Sequence, residues 1–431
     1  MTGRVIPPIA DHPLRYQLAN ELHARPFPTV AAPSRAAYLA IKPALNAAGR
    51  DRDADRAHLI ALLDRHAAPR PQPDATHYSG QLGKHFVKWE SHTEFVTYTL
   101  FGDGVADRPF DAVTFGIFPA DWLAEAPGVR VTSALIHIER ENGDDVITDK
   151  AREWFVPESL AISRVLEDQL AIAGDFRIDP AGHMRFAVFA RDGAGGRRIG
   201  RVVQRICEIE TYKAMSMLGL ARARELGPRL GELDDRLTAL VADMTGAPTR
   251  HDATLSDLLA IAAELESIVH RTNFRFAATG AYETIVNQRI VALREERFTG
   301  RQTFAEFMMR RYDPAMRTVM STQARLQSMS DRALRAGDLL RTRVDVERSA
   351  QSQALLVSMD RRADLQLRLQ ATVEGLSVVA ISYYGVNLVT YMAYPLASAF
   401  DLSKGMLTAI VTPLVILAVW WGVRRIRKAM H

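Results

Sequence analysis

The pattern of apolar and polar positions changes character along the chain. Between residues 36 and 191, short or alternating apolar runs read as strands: AAYLAIK, HFVKWESHTEFVTYTLF, VRVTSALIHIE, QLAIAGDFRI and MRFAVFAR. Loops rich in Pro, Gly, Asp and Arg separate them, as in RHAAPRPQPDATH and FGDGVADRPFDA. From Arg198 the period lengthens to that of a helix, which the sequence ends at Gly227-Pro228 after Leu226, with a further helix to about Met244. A long helix follows from about Ser256 to Arg297 and a shorter one from Thr303 to Arg311.

Tyr312-Asp313-Pro314 then opens a new helix. Asp313 supplies a capping oxygen, and Pro314 sits where its missing N–H costs nothing. Good helix formers fill the chain up to Pro395, so one helix of about 80 residues, roughly 120 Å long, is predicted. Met316, Met320, Leu326, Met329, Ala333, Leu340 and Val344 recur at three- to four-residue steps, as a packed helix requires. The stripe thins over DVERSAQSQ and resumes at Ala354, Leu355 and Met359, which interrupts any coiled-coil seam.

Two uncharged runs close the sequence. Gly375 to Leu396 and Gly405 to Val423 are about 22 and about 19 residues long, each enough to cross a hydrocarbon layer of ~30 Å. Arg361, Arg362 and Arg368 precede the first run, and Arg424, Arg425, Arg427 and Lys428 follow the second, which places both flanks in the cytoplasm. Trp420 and Trp421 suit the headgroup layer on that side, Tyr391 and Tyr394 the opposite one.

The predicted fold is therefore an α+β cytosolic domain followed by long helices and a C-terminal two-helix transmembrane hairpin. The expected units are an N-terminal segment 1–35, the α+β domain 36–198, a helical domain 199–312 and a stalk helix 313–374. Spans at 375–396 and 405–423 and a basic tail at 424–431 complete the chain. Prolines 7, 8 and 13 break any apolar run near the start, so no signal peptide is expected there. The localisation this implies is a bacterial inner membrane, with both termini cytoplasmic.

Composition adds limits. With 54 Lys and Arg against 50 Asp and Glu, interspersed, no field points to nucleic acid. The single cysteine, Cys207, excludes an intramolecular disulfide and reads as a small buried hydrophobe. No serine nucleophile elbow, kinase signature or HExxH helix occurs, which weighs against an enzyme.

Three groups of residues remain as candidate chemistry. DHPLRYQLANELHARPFP gathers His12, Arg15, Glu21, His23 and Arg25; these form either a metal- or anion-binding set or a capping and salt-bridge segment. The Gly-rich RDGAGGRRIG at 191–200 follows a strand and precedes a helix, but its spacing is neither GxGxxG nor a P-loop, and a plain connection is the expectation. In the first span lie Tyr383, Tyr384, Gly385 and Asn387, with Glu374 at its entrance. Asn387 either faces an ion in an oligomeric pore or hydrogen-bonds a neighbouring helix beside Gly385.

Three stretches carry a resemblance: HPLRYQLANELHARP at 12–26, LREERFTGRQTFAEFMMRRYDPAMRT at 293–318, and LLRTRVDVE with LQLRLQATVEGLSVVAISYY at 339–384. On these the chain resembles a family of bacterial membrane-anchored proteins catalogued as a domain of unknown function, DUF3422, which implies no activity. The order of body, stalk, two spans and basic tail is also similar to the CorA-type cation transporters. Those are pentamers whose first span lines the pore and bears a Gly-Met-Asn motif at its outer end. Gly385-Val386-Asn387 is similar to that motif, although here the apolar stretch Leu388 to Leu396 follows the asparagine. That resemblance implies a homo-oligomer in the lipid bilayer that moves or senses a cation, with a divalent cation as the candidate ion and no other cofactor. The alternatives are a membrane-anchored scaffold or sensor that binds a cytosolic protein partner, and a metal-dependent enzyme using His12, Glu21 and His23.

Overall fold

The computed structural model describes residues 9–21, 27–44, 49–244, 251–398 and 403–429. The chain divides into two compact units, Met1–Thr245 with Asp257–Arg335, and Gly246–Ser256 with Ala336–His431. His23 and Arg25 lie outside the described residues, as do the side chains of Glu21, Arg427 and Lys428.

The first unit is built on nine strands: β1 (Ser34–Lys42), β2 (His77–Leu82), β3 (His85–Ser91), β4 (Val96–Asp103), β5 (Val129–Arg140), β6 (Ala161–Val165), β7 (Leu170–Ile178), β8 (Met184–Ala190) and β9 (Glu296–Arg297). They form one mixed sheet in the order β2-β3-β4-β1-β5-β8-β7-β6-β9, antiparallel except where β5 meets β8. The run expected over HFVKWESHTEFVTYTLF is two strands, because the chain turns back where the His92 N–H donates to the Phe95 carbonyl. β2, β6 and β9 were outside the expected strands. β2 is polar and largely exposed, and β6 is short although its Ile162 lies in the core; β9 replaces the end of the helix expected to reach Arg297, which stops at Leu293.

One face of the sheet is covered by short helices: α2 (Arg52–Asp64) and α3 (Ala120–Ala124) on the hairpin half, α4 (Asp144–Trp154) on the other. Leu39, Leu62, Trp89, Tyr98, Phe118 and Trp122 fill the first core, and Ile147, Phe155, Ile162 and Phe189 the second. His58 belongs to the first core. It stacks on Trp122 and hydrogen-bonds Tyr98 at 3.1 Å, and burial holds its imidazole below the usual range.

Against the opposite face lies α5 (Gly196–Asp243), 48 residues long and followed by α6 (His251–Leu293) and α7 (Phe304–Arg311). The predicted break at Gly227-Pro228 is corrected: α5 continues through Pro228. A proline inside a helix costs about 3 kcal/mol, and here the same face stays buried on both sides of it, at Ala223, Leu226, Leu230, Leu233 and Leu237. The Arg229 guanidinium also grips Glu264 on α6 at 2.6 and 2.7 Å. Close approaches fix α5 at two glycines. A Cβ on Gly200 would stand 1.7 Å from the Pro28 carbonyl oxygen, and one on Gly219 would stand 2.2 Å from Thr279 Oγ1 of α6.

α8 (Asp313–Ser398) is 86 residues long, and the division between units falls within it. In the first unit Tyr312 and Ser216 share a hydrogen bond of 2.8 Å, and Arg325 and Arg332 both reach Asp234 at 3.0 Å. In the second unit α9 (Lys404–Ala429) packs beside α8, close enough that a Cβ on Gly385 would meet Val415 at 3.0 Å. Both helices are long and apolar enough to cross a membrane.

Gly200→Ala is expected to destabilise the first unit by about 3 kcal/mol, because rigid backbone fills the space the methyl needs. Gly231→Ala, in the same helix with nothing within 4 Å, should stabilise it by roughly 0.5–1 kcal/mol. Thermal unfolding midpoints measured by circular dichroism check the pair; equal midpoints would contradict the close approach.

Candidate functional site: the helical hairpin and a buried polar chamber

The predicted membrane residues gather on the α8–α9 pair. At about 100° per residue, Tyr384, Asn387 and Tyr391 fall on one side of α8, and Ser382 and Gly385 fall on the other. The structure follows that division: Ser382 is buried toward α9, while Tyr384 and Tyr391 are 71% and 69% exposed and Asn387 is exposed. Thr390 is buried too, and neither the Ser382 nor the Thr390 hydroxyl has a hydrogen-bond partner. Asn387 and Tyr383 sit at the rim of a groove between the helices that also takes in Val386, Thr408 and Thr412. Glu374 is half-buried one turn before Val378 of that groove.

At the other end of the hairpin the Arg424 guanidinium lies 4.9 Å from the Trp420 ring and Arg425 lies 5.3 Å from Trp421. Lys404 approaches the Tyr391 ring at 5.2 Å. Such pairs hold a cation against an amphipathic ring.

The N-terminal motif behaves as a capping segment where it is described. His12 Nδ1 accepts the Leu14 N–H at 3.2 Å ahead of α1 (Arg15–Glu21), and Asp11 pairs with Arg15 and takes the Tyr16 hydroxyl at 3.0 Å. The Gly-rich stretch is explained by packing. Gly195 caps α5, the Gly196 carbonyl accepts the Val30 N–H at 3.1 Å, and Gly200 admits Pro28, so the glycines let residues 28–30 cross the helix.

The structure also assembles a group that the sequence reading missed. Beneath α5, the hairpin half of the sheet turns polar side chains inward: Tyr38, Lys88, Glu90, Thr97 and Thr99 enclose a cavity of about 20 Å³ with Gln204, Cys207, Glu208 and Thr211. Lys88 Nζ donates to Gln204 Oε1 at 2.6 Å and pairs with Glu90 at 3.0 Å, and Gln204 Nε2 donates to Glu208 at 2.7 Å. Glu208 in turn pairs with Arg289 of α6, and Tyr38 and Thr211 share a bond of 2.5 Å. A chamber that size holds one water. Burial pushes the Cys207 thiol well up, so it stays protonated and is no nucleophile.

Next to the chamber, an open cleft of about 440 Å³ lies over the 91–95 turn, walled by Arg52, Ser91, His92, Tyr212 and Tyr282. Its floor is held by buried Glu94, which takes the Tyr282 hydroxyl at 2.8 Å and the Arg275 guanidinium. A Ser133–His183 contact of 2.8 Å elsewhere has the atoms of a nucleophilic pair, but both residues are buried, against Phe115. Among the described residues no group of three or more His, Cys, Asp or Glu is placed to hold a metal ion.

An α+β body on a mixed sheet, continued by long helices and ending in two helices apolar enough to cross a membrane, defines the class of protein. Residues 10–430 match the family model described as protein of unknown function (DUF3422), and the chain belongs to that family. No curated protein matches the chain.

Lys88 is buried and bonds both Gln204 and Glu90, so Lys88→Met should cost about 3 kcal/mol, and that cost should shrink when Glu90→Leu has already removed the charge it pairs with. Unfolding midpoints of the single and double variants test the coupling, and additive losses would contradict it. Cys207 is expected to resist a thiol reagent in the folded protein and to react at once on unfolding; rapid labelling of the native chain would show that the chamber opens.

Proposed function

We propose that the α8–α9 hairpin anchors this protein in the bacterial inner membrane, with the body and the basic tail on the cytoplasmic side. Copies then assemble around α8 into a CorA-like path for a cation. The observation that carries this reading is the exposed side of α8, where Asn387 lies among Tyr383, Tyr384 and Tyr391 within an uncharged run.

Hydrocarbon offers an amide nothing to bond with, and Asn387 stays exposed at the rim of its groove with α9. Facing a shared axis answers both needs, since water or a passing ion then meets the amide. The carbonyl oxygen of Asn387 and the faces of the tyrosines present partial negative charge, which favours a cation.

Two facts support the membrane itself. Only 11% and 6% of the apolar windows in α8 and α9 are buried, whereas the core helix of a soluble protein is mostly covered. Arginine beside tryptophan at the end of α9 suits a headgroup layer on the cytoplasmic side. One observation favours a tether whose body binds a cytosolic partner instead, namely the open cleft over the 91–95 turn.

Purified protein reconstituted in liposomes is expected to pass a cation down its gradient, with Asn387→Leu slowing the flux at least roughly ten-fold. Light scattering in detergent should give a multimer. A monomer, or vesicles that stay sealed to every cation tried, would leave the tether reading standing alone.

A further inference from the structure

We infer that the segment of α8 from Leu355 to Val373 is an interface between copies of this chain, packed parallel and in register. Every residue from Arg348 to Val373 is exposed in the structure. Within that stretch Leu355, Leu356, Met359, Leu365 and Leu369 are 59–66% exposed. A helix bearing that much apolar surface in water needs a partner to cover it.

The spacing says how the partner lies. Leu355, Met359, Arg362, Gln366, Leu369 and Val373 follow one another by four and three residues in strict alternation. The same alternation continues through Leu376, Ala380 and Tyr383 to Asn387, so one seam joins the stalk to the exposed side of the span. A repeat of 3.5 residues is the signature of helices wound around each other with a left-handed twist. Leu356 and Leu365 flank the seam on its two sides, which gives each helix apolar surface toward two neighbours and so favours a ring over a pair.

The occupant is a second copy because of the bilayer. This step rests on the reading of the hairpin as membrane-spanning. Copies inserted by the same hairpin point the same way and sit at the same depth, so identical residues of α8 meet at identical heights. An antiparallel or unrelated helix has no such constraint. Arg362 and Gln366 then form two adjacent polar layers in an apolar seam. A slip of one heptad would set the Arg362 guanidinium against Leu355 or Leu369, so these layers hold the register at some cost in stability.

Single cysteines test the inference, in full-length Cys207→Ser protein oxidised in native membranes. Leu369→Cys, on the seam, should join copies at least roughly ten-fold more than Ala371→Cys, on the far side of the same helix turn. Arg362→Leu combined with Gln366→Leu should raise the temperature at which the oligomer dissociates. Equal or absent cross-linking at the two sites, with the protein in the membrane fraction, would overturn the interface. Cross-linking at 369 in vesicles that pass no ion would support the interface and remove the path; flux without that cross-link would do the reverse.

Discussion

An amide surrounded by hydrocarbon can bond only to another polar group that is brought to it, and on the proposed membrane-spanning reading that constraint governs the C-terminal half of this protein. α9 packs against Gly385, and Ser382 is buried, while Asn387 stays exposed at the rim of the groove between the two helices. On the proposed reading, neighbouring copies supply what α9 does not, and the stalk continues the same side of the helix into water. A single interaction surface would then serve two solvents, with leucines covered in the cytoplasm and an asparagine satisfied in the bilayer.

The body obeys a different rule. Its sheet is covered on both faces, so alternation along a strand no longer separates core from solvent. Val87 and Trp89 enter the aromatic core under α2, whereas Lys88 between them and Glu90 after them are turned toward α5. Such groups tolerate burial because each finds a partner: Lys88 with Gln204 and Glu90, and Glu208 with Arg289. The same logic places Glu94 beneath the 91–95 turn, where Arg275 and Tyr282 tie α6 to the sheet.

How much was legible follows from these cases. The long helix from Asp313 and the two apolar helices were readable because each depends on composition and period within one segment. The break expected at Pro228 was not there. A local helix penalty was outweighed by burial of Leu226, Leu230 and Leu233, a tertiary contribution that no window of sequence contains. The glycines of 191–200 were expected to form a plain strand-to-helix connection, but sequence alone does not show why they are glycines: one that admits a neighbouring backbone and one that cradles an anion are the same letter. Only the tertiary position of the Pro28 carbonyl, against Gly200, separates the two.

By itself the sequence determined the class of the longer segments: the apolar strands, then long helices, then two runs long and apolar enough to cross a membrane. Local period and composition suffice for that, since they act through neighbours three or four residues away. Tertiary structure alone decided which polar residues became interior, because burial of Lys88 and Glu94 depends on helices more than a hundred residues distant along the chain. It also decided which side of α8 stays uncovered. That choice is made by where α9 packs, and the seam from Leu355 to Asn387 acquires meaning only once that side is known.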